Sequence, residues 1–568
     1  MMFDLVVRNG LVCDGTGQPA RLGSVAISGS RIAAIGPEVG VDVGAARRVI
    51  DAAGLVIAPG FIDPHTHFDA QLSWDGLATP SLEHGVTTVI PGNCSLSLAP
   101  LRAEHREFLG AAFRQIEELP KSAFDAGLRF TWQTFGEYRE AIAPKLGLNN
   151  APLVGHSLLR LYVLGLASRD RASTPEELRA LADCLRQCLD EGALGLSTSF
   201  VDVDHEFRPV PCRLGTLGEL DALCAVLGER GRPLQLVPEF WDADLLATRI
   251  DQLAELSLRH QIPITFSPLF ESRAMPGLVA RTLERLELQA ARGARIQAQM
   301  QTRPVDMTFD LRGLNAVFSS MPTWMGILLS GQDATRRAFA DPATRKKLAA
   351  ETDTAPMPLA LSFSLAETRL TGAKGADAAD LGRTLGELAR ERGRHPAEVL
   401  MDVSLAEDLD ARFTATDLAQ ADEPAIGPAL RHPQVQIGAG DGGAHVARFA
   451  TCGDTGHLFA RYVRARRAMT LEEACKRVSA DVADFWGIPD RGQLAKGQVA
   501  DLVVFDAATI DRGPEELAFD LPDGGTSFRF VRRSIGIREV VVGGESVYRD
   551  GEGYTDVRRG EWIAGRGR

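Results

Sequence analysis

Paired cysteines are missing from this chain. Its eight cysteines (Cys13, Cys94, Cys184, Cys188, Cys212, Cys224, Cys452 and Cys475) are scattered over 568 residues without a CxxC spacing, a pattern of reduced thiols rather than a disulfide framework. Cys184 and Cys188 are four apart in a helical pattern and read as small apolar residues on one face. Long apolar runs are also missing, and the start, MMFDLVVRNGLVCDG, has no basic stretch leading into an apolar one. The expectation is therefore a cytoplasmic protein with no membrane partner. A basic stripe is absent too, and the formal net charge of −13 would repel nucleic acid or an anionic surface. A small-molecule substrate is the partner this balance favours.

What is present is a large core. With 45% hydrophobic residues the chain is long enough for one big domain and a smaller one. Residues 1–58 carry short β-branched runs, DLVVRNG, GSVAISGSRIAAIG and GLVIAPG, separated by turn residues. GQVADLVVFD and REVVVGGESVYRDGE repeat that style within 488–568, so the two ends are expected to pair into one β-sandwich. Between them, apolar runs alternate with amphipathic helices, which predicts an α/β fold with a parallel sheet.

Eight strands can be counted: VIAPGFIDPHTH, GVTTVIPGNC, APLVGHS, GALGLSTSF, RPLQLVPEF, IPITFSPLF, ARIQAQMQT and VQIGAGDGG. Eight is the number that closes a TIM-like (β/α)8 barrel, here over 59–305 and 424–487. Thr174, Pro175 and Glu177 predict a capped helix start, and Thr470 with Glu473 predicts another. Residues 306–423 are too long for a barrel loop and read as an inserted lid.

The sharpest motif is His65-Thr66-His67 at the end of the first strand. Residues two apart on a strand point to one side, so both imidazoles face the same place, as half of a zinc site requires. An arbitrary HxH is more often two partly buried histidines. Here Asp63 and Asp69 flank the pair, and Asp441 in IGAGDGGAH ends the eighth strand, which neighbours the first in a closed barrel. A divalent cation, zinc by its donors, is expected on His65, His67 and Asp441.

GFIDPHTHFD, the eight-strand layout, the end-strand aspartate and the closing GQVADLVVFD together resemble the amidohydrolase superfamily. Within it, EHGVTTVIPGNCSLSLAP and GALGLSTS look like the N-acyl-D-amino-acid deacylases, the D-aminoacylases. The resemblance implies hydrolysis of an amide without a covalent intermediate. It further implies that His65 and His67 are metal ligands, that Asp441 both touches the metal and shuttles the proton, and that Cys94 is a further ligand, against the alternative that Cys94 only packs.

The sequence departs from that family on strands five and six, where the expected histidines fall near Val237 and on Pro268. No lysine at a strand end offers a carbamate bridge, so one metal ion is expected rather than two. His156, at the end of strand three, reads as a ligand, a donor to the substrate carbonyl or a structural histidine. His445 could orient Asp441 or line the pocket, and Glu239 and Gln299 could fill polar places that the missing histidines vacate. A substrate carboxylate would call for an arginine, with Arg160, Arg273 and Arg303 just past predicted strands. The other seven histidines lack partner spacing. Hydrolysis of a cyclic amide, or a barrel that has lost catalysis, are the competing readings, and a homo-oligomer is left open.

Overall fold

The computed structural model describes residues 2–37, 46–313, 315–356 and 361–565. Eight parallel strands form the barrel: Phe61–Asp63, Val86–Val89, a third in two pieces (Asn149–Asn150 and Val154–Gly155), Leu196–Ser199, Leu234–Val237, Ile264–Phe266, Ile296–Met300 and Val435–Ile437. Each pairs in parallel with the next, and Thr66 bridges Gly442 in parallel to join the first strand's extension to the eighth's. The helix Pro175–Asp190 starts with the capping box of Thr174 and Glu177, and buries Leu181, Leu185, Cys188 and Leu189. Leu471–Arg477 starts with the box of Thr470 and Glu473.

The chain ends meet in one nine-stranded sheet, in which Leu502–Phe505 runs antiparallel to Val56–Pro59 with Val503 opposite Ala58. Alternation decides what each side covers. Leu502 and Val504 pack with Val7, Ile27 and Ile57 inside the β unit, whereas Val503 and Phe505 belong to the barrel's core. The architecture is thus a TIM barrel joined to a β-sandwich that both ends build.

The insertion is a folded unit with a core of its own rather than a simple flap. Val305–Phe309, Arg369–Gly372 and Arg412–Ala419 form an antiparallel sheet under helices such as Pro342–Thr354 and Pro396–Ala406. Phe318 stacks on Trp324 at 4.7 Å between ring centroids, within a cluster that includes Phe309, Phe339 and Phe413. Its first strand touches the loop after barrel strand eight, where Thr308 N–H donates to Arg448 O at 2.8 Å. No helix among the described residues is long and apolar enough to cross a membrane.

Candidate active site

Strand one delivers His65 and His67, and the closing bridge delivers Asp441: His67 N–H donates to Gly442 O at 2.7 Å, and Asp441 N–H donates to His65 O at 3.1 Å. The turn that carries Asp441 needs glycine at Gly443, where φ is 91° and a Cβ would lie 2.8 Å from His67 O. Cys94 and Asp441 themselves adopt left-handed backbone, φ 55° in both, a strain that proteins concentrate at functional sites.

Four donor atoms converge. His65 Nε2 lies 3.3 Å from Asp441 Oδ1 and 3.5 Å from Cys94 Sγ, and His67 Nε2 lies 3.9 Å from each. The ligand atoms of His65, His67 and Cys94 fall within 4.8 Å of one another. Around a tetrahedral zinc, with bonds of ~2.0 Å to nitrogen and ~2.3 Å to sulfur, such donors sit about 3.3–3.6 Å apart. The two contacts of His65 match that spacing, and those of His67 are slightly wide.

The far side of each ring faces an oxygen partner, the arrangement a metal ligand requires. His65 Nδ1–H points to Gln299 Oε1 at 2.7 Å, with Ser267 Oγ at 3.0 Å. His67 Nδ1 lies 2.9 Å from Glu117 Oε1, and both side chains are buried. With Nδ1 engaged, each Nε2 faces the centre of the cluster. The residues present therefore fit a divalent cation.

Electrostatics separates the two imidazoles. Burial, opposed by Asp441, pushes His65 down to about 4, so the ring is neutral. Burial alone would also lower His67, yet Glu117 and Cys94 hold it well above its ordinary value. Burial pushes the Cys94 thiol up to about 12 despite His67. Of the flanking acids, Asp63 accepts from His65 N–H at 3.2 Å and rises to about 8 through burial and the nearby Asp454 and Asp441. Asp69 accepts from Gly92 N–H at 3.0 Å and rises to about 7 through burial.

From strands five and six, Gln235 and Ser267 reach this cluster. Gln235 Oε1 accepts from Cys94 N–H at 3.2 Å, and its Nε2 donates to Ser267 Oγ at 3.1 Å. His156 begins a helix instead of ending a strand, and its ring nitrogens are taken by Thr198 Oγ1 at 3.0 Å and Glu219 Oε1 at 2.8 Å. Thr198 lies on the opposite face of strand four from Ser197, which reaches Ser95 and Gly92 inside, so His156 is turned away from the metal donors.

Arg160 is wholly buried and forks onto Glu219 at 2.6 and 2.7 Å, so its guanidinium is not offered to a substrate. Gln299, also wholly buried, holds His65 and is screened from a substrate. Glu239 pairs with Arg249 at 2.7 Å and shares no hydrogen bond with the cluster. His445 stays partly exposed at the rim, stacked on Phe449, with Glu118 Oε2 at 3.5 Å from its Nδ1. Of the other arginines, Arg303 is buried beneath Asp441, donating to Gly440 O at 3.0 Å and pairing with Asp454 at 2.9 Å.

Sequence reading missed Glu117, Gln235 and Ser267. Gln235 and Ser267 could have been found by counting inward positions back from each strand's end. Glu117 carried no local signal, because it lies on a helix outside the strand repeat.

Donors gathered at the carboxyl-terminal rim of a β/α barrel define a class, the barrel enzymes that work with a bound cation. Residues 48–548 match the amidohydrolase family, and the chain belongs to that family. It is 31% identical to an uncharacterized protein of Mycobacterium tuberculosis over 97% of this chain and 92% of that one. It is 28% identical to the D-aminoacylase of Alcaligenes xylosoxydans xylosoxydans over 99% and 98% of the two chains. A solved D-aminoacylase structure superposes with a TM-score of 0.65 at 27% identity, covering 98% of this chain and 99% of that one; its binuclear metal centre is described as having one-metal activation and second-metal attenuation. The protein is thus an amide-hydrolysing enzyme of the amidohydrolase family that resembles the D-aminoacylases.

Proposed function

We propose that this enzyme cleaves the amide C–N bond of a small N-acylated amino acid, with the D configuration as its substrate series. The observation that carries the reading is the convergence of His65 Nε2, His67 Nε2, Cys94 Sγ and Asp441 Oδ1. Those four residues would hold one divalent cation, zinc by the chemistry of the donors. Such a cation supplies Lewis acidity, which lets water attack at neutral pH and polarises a carbonyl.

The chain's own residues do the rest. Asp441, more exposed than His65 and His67, accepts a proton from the attacking water at its carboxylate and delivers it to the leaving nitrogen. Gln299 and Ser267 keep the Nε2 lone pair of His65 aimed inward. One cation is favoured over two, because Val237 and Pro268 stand at the strand-five and strand-six positions where imidazoles would be needed for a second. The D-aminoacylase relatives supply the substrate class, and the rim residue His445 lines the approach to Asp441.

The test is elemental analysis of protein purified without chelator, paired with amine-release assays on N-acyl-D-amino acids, N-acyl-L-amino acids and cyclic amides. About one zinc per chain and turnover of the D series support the reading. No bound metal and no turnover with added zinc would sink it, and turnover of cyclic amides alone would move the substrate class.

A further inference from the structure

The helix Arg106–Glu117 runs into two consecutive glutamates, Glu117 and Glu118. The carboxyl end of a helix carries partial negative charge, so carboxylates are disfavoured there by the dipole. Glu117 is nevertheless only 1% exposed, which desolvates its charge as well. A carboxylate kept in such a place needs a compensating partner, and the geometry supplies one for each glutamate.

Glu117 Oε1 lies 2.9 Å from His67 Nδ1. Glu118 turns into left-handed backbone, φ 53°, and faces a different wall of the site. Its Oε1 accepts from Arg448 Nε–H at 3.0 Å, and its Oε2 lies 3.5 Å from His445 Nδ1. Both partners sit on the loop that begins at Asp441, so two neighbouring carboxylates grip the histidine wall and the aspartate wall from one helix end.

We propose that Glu117 and Glu118 brace the metal site: Glu117 is a positioning residue that fixes the His67 ring with Nε2 toward the cation, and Glu118 is one that holds the Asp441–Arg448 loop. The inference rests on the reading of His65, His67 and Asp441 as ligands. It has a physical motive in this chain. Strands five and six contribute only the neutral Gln235 and Ser267, so ligand strength has to come from the donors that remain. A carboxylate on the far nitrogen raises an imidazole's basicity and locks its orientation.

Zinc affinity of chelator-stripped protein, measured by competition with a chromophoric chelator, tests the brace. Glu117→Gln is expected to weaken zinc binding about 10- to 100-fold, the usual cost of losing such an outer partner, and to shift the visible spectrum of the cobalt-substituted protein. Glu117→Asp, which keeps the charge, should recover part of that loss; it also serves if Glu117→Gln does not fold, as judged by the metal-free melting temperature. Glu118→Gln should lower kcat with KM unchanged. Wild-type zinc affinity and cobalt spectrum in folded Glu117→Gln, or unchanged kcat in Glu118→Gln, would overturn the brace alone. A wild-type protein that binds no zinc would instead sink the metal reading on which it stands.

Discussion

Thr66 and Gly442 are bridged in parallel across the seam of the barrel. The bridge joins segments more than 370 residues apart in the chain and places Asp441 Oδ1 3.3 Å from His65 Nε2. Strand one and strand eight thus make a single site, and its function depends on the seam staying closed.

If Asp441 moves the proton, Asp441→Asn keeps the size of the side chain and removes its basicity. Turnover is expected to fall about 100- to 10,000-fold, with circular dichroism and melting behaviour close to wild type. Near-normal kcat in that variant would remove Asp441 from the proton pathway.

Cys94 offers a sharper measure of the donor set. Its thiol lies 3.5 Å from His65 Nε2 on the turn after strand two, and Cys94→Ala deletes that donor while keeping the Cβ. Zinc content after dialysis should drop, and affinity should fall by more than the ~10- to 100-fold that an outer partner is worth. Full zinc retention would make Cys94 a packing residue.

Arg160 and His156 are predicted to matter for stability rather than chemistry. Arg160→Met leaves the Glu219 carboxylate buried with its guanidinium partner gone, and breaking a buried pair this way costs about 3–5 kcal/mol. Denaturant unfolding should record that loss while zinc content stays at the wild-type level. A loss of zinc with unchanged stability would return this pair to the active site.

The same network sets a pH dependence. Burial would raise Glu219, but His156, Ser173 and Arg160 bring it down to about 2 from 4.5. Between those values the unfolded chain binds a proton that the folded chain does not, so stability falls as pH is lowered through that window. The stability advantage of wild type over Glu219→Gln, followed by chemical unfolding, is expected to shrink across it. A difference independent of pH would mean that Glu219 is not ionised in the fold.

Much of this enzyme was legible in the sequence because the signals are local. The eight strands follow from apolar runs, the capped helices from Thr174 with Glu177 and Thr470 with Glu473, and the donor triad from an HxH at one strand end and an acid at another. The period-two rule by itself makes His65 and His67 a pair. At strand four the same rule puts Thr198, and hence His156, on the face away from the donors, which favours the structural role among those open for His156.

What only the tertiary structure decided is the set of contacts between segments far apart in the chain. Gln299 reaches His65 across the barrel, Glu117 reaches His67 from a helix outside the strand repeat, and Ser267 and Gln235 reach the cluster from strands five and six. None of these residues belongs to a motif, because an amide or a carboxylate on a helix end has no meaning until packing brings it to a partner. The sequence alone determined the barrel and the candidate donors His65, His67 and Asp441 at its rim, since backbone periodicity and donor chemistry are properties of short segments. The fold determined how those donors are oriented and charged, since burial and distance arise only once the chain has closed on itself.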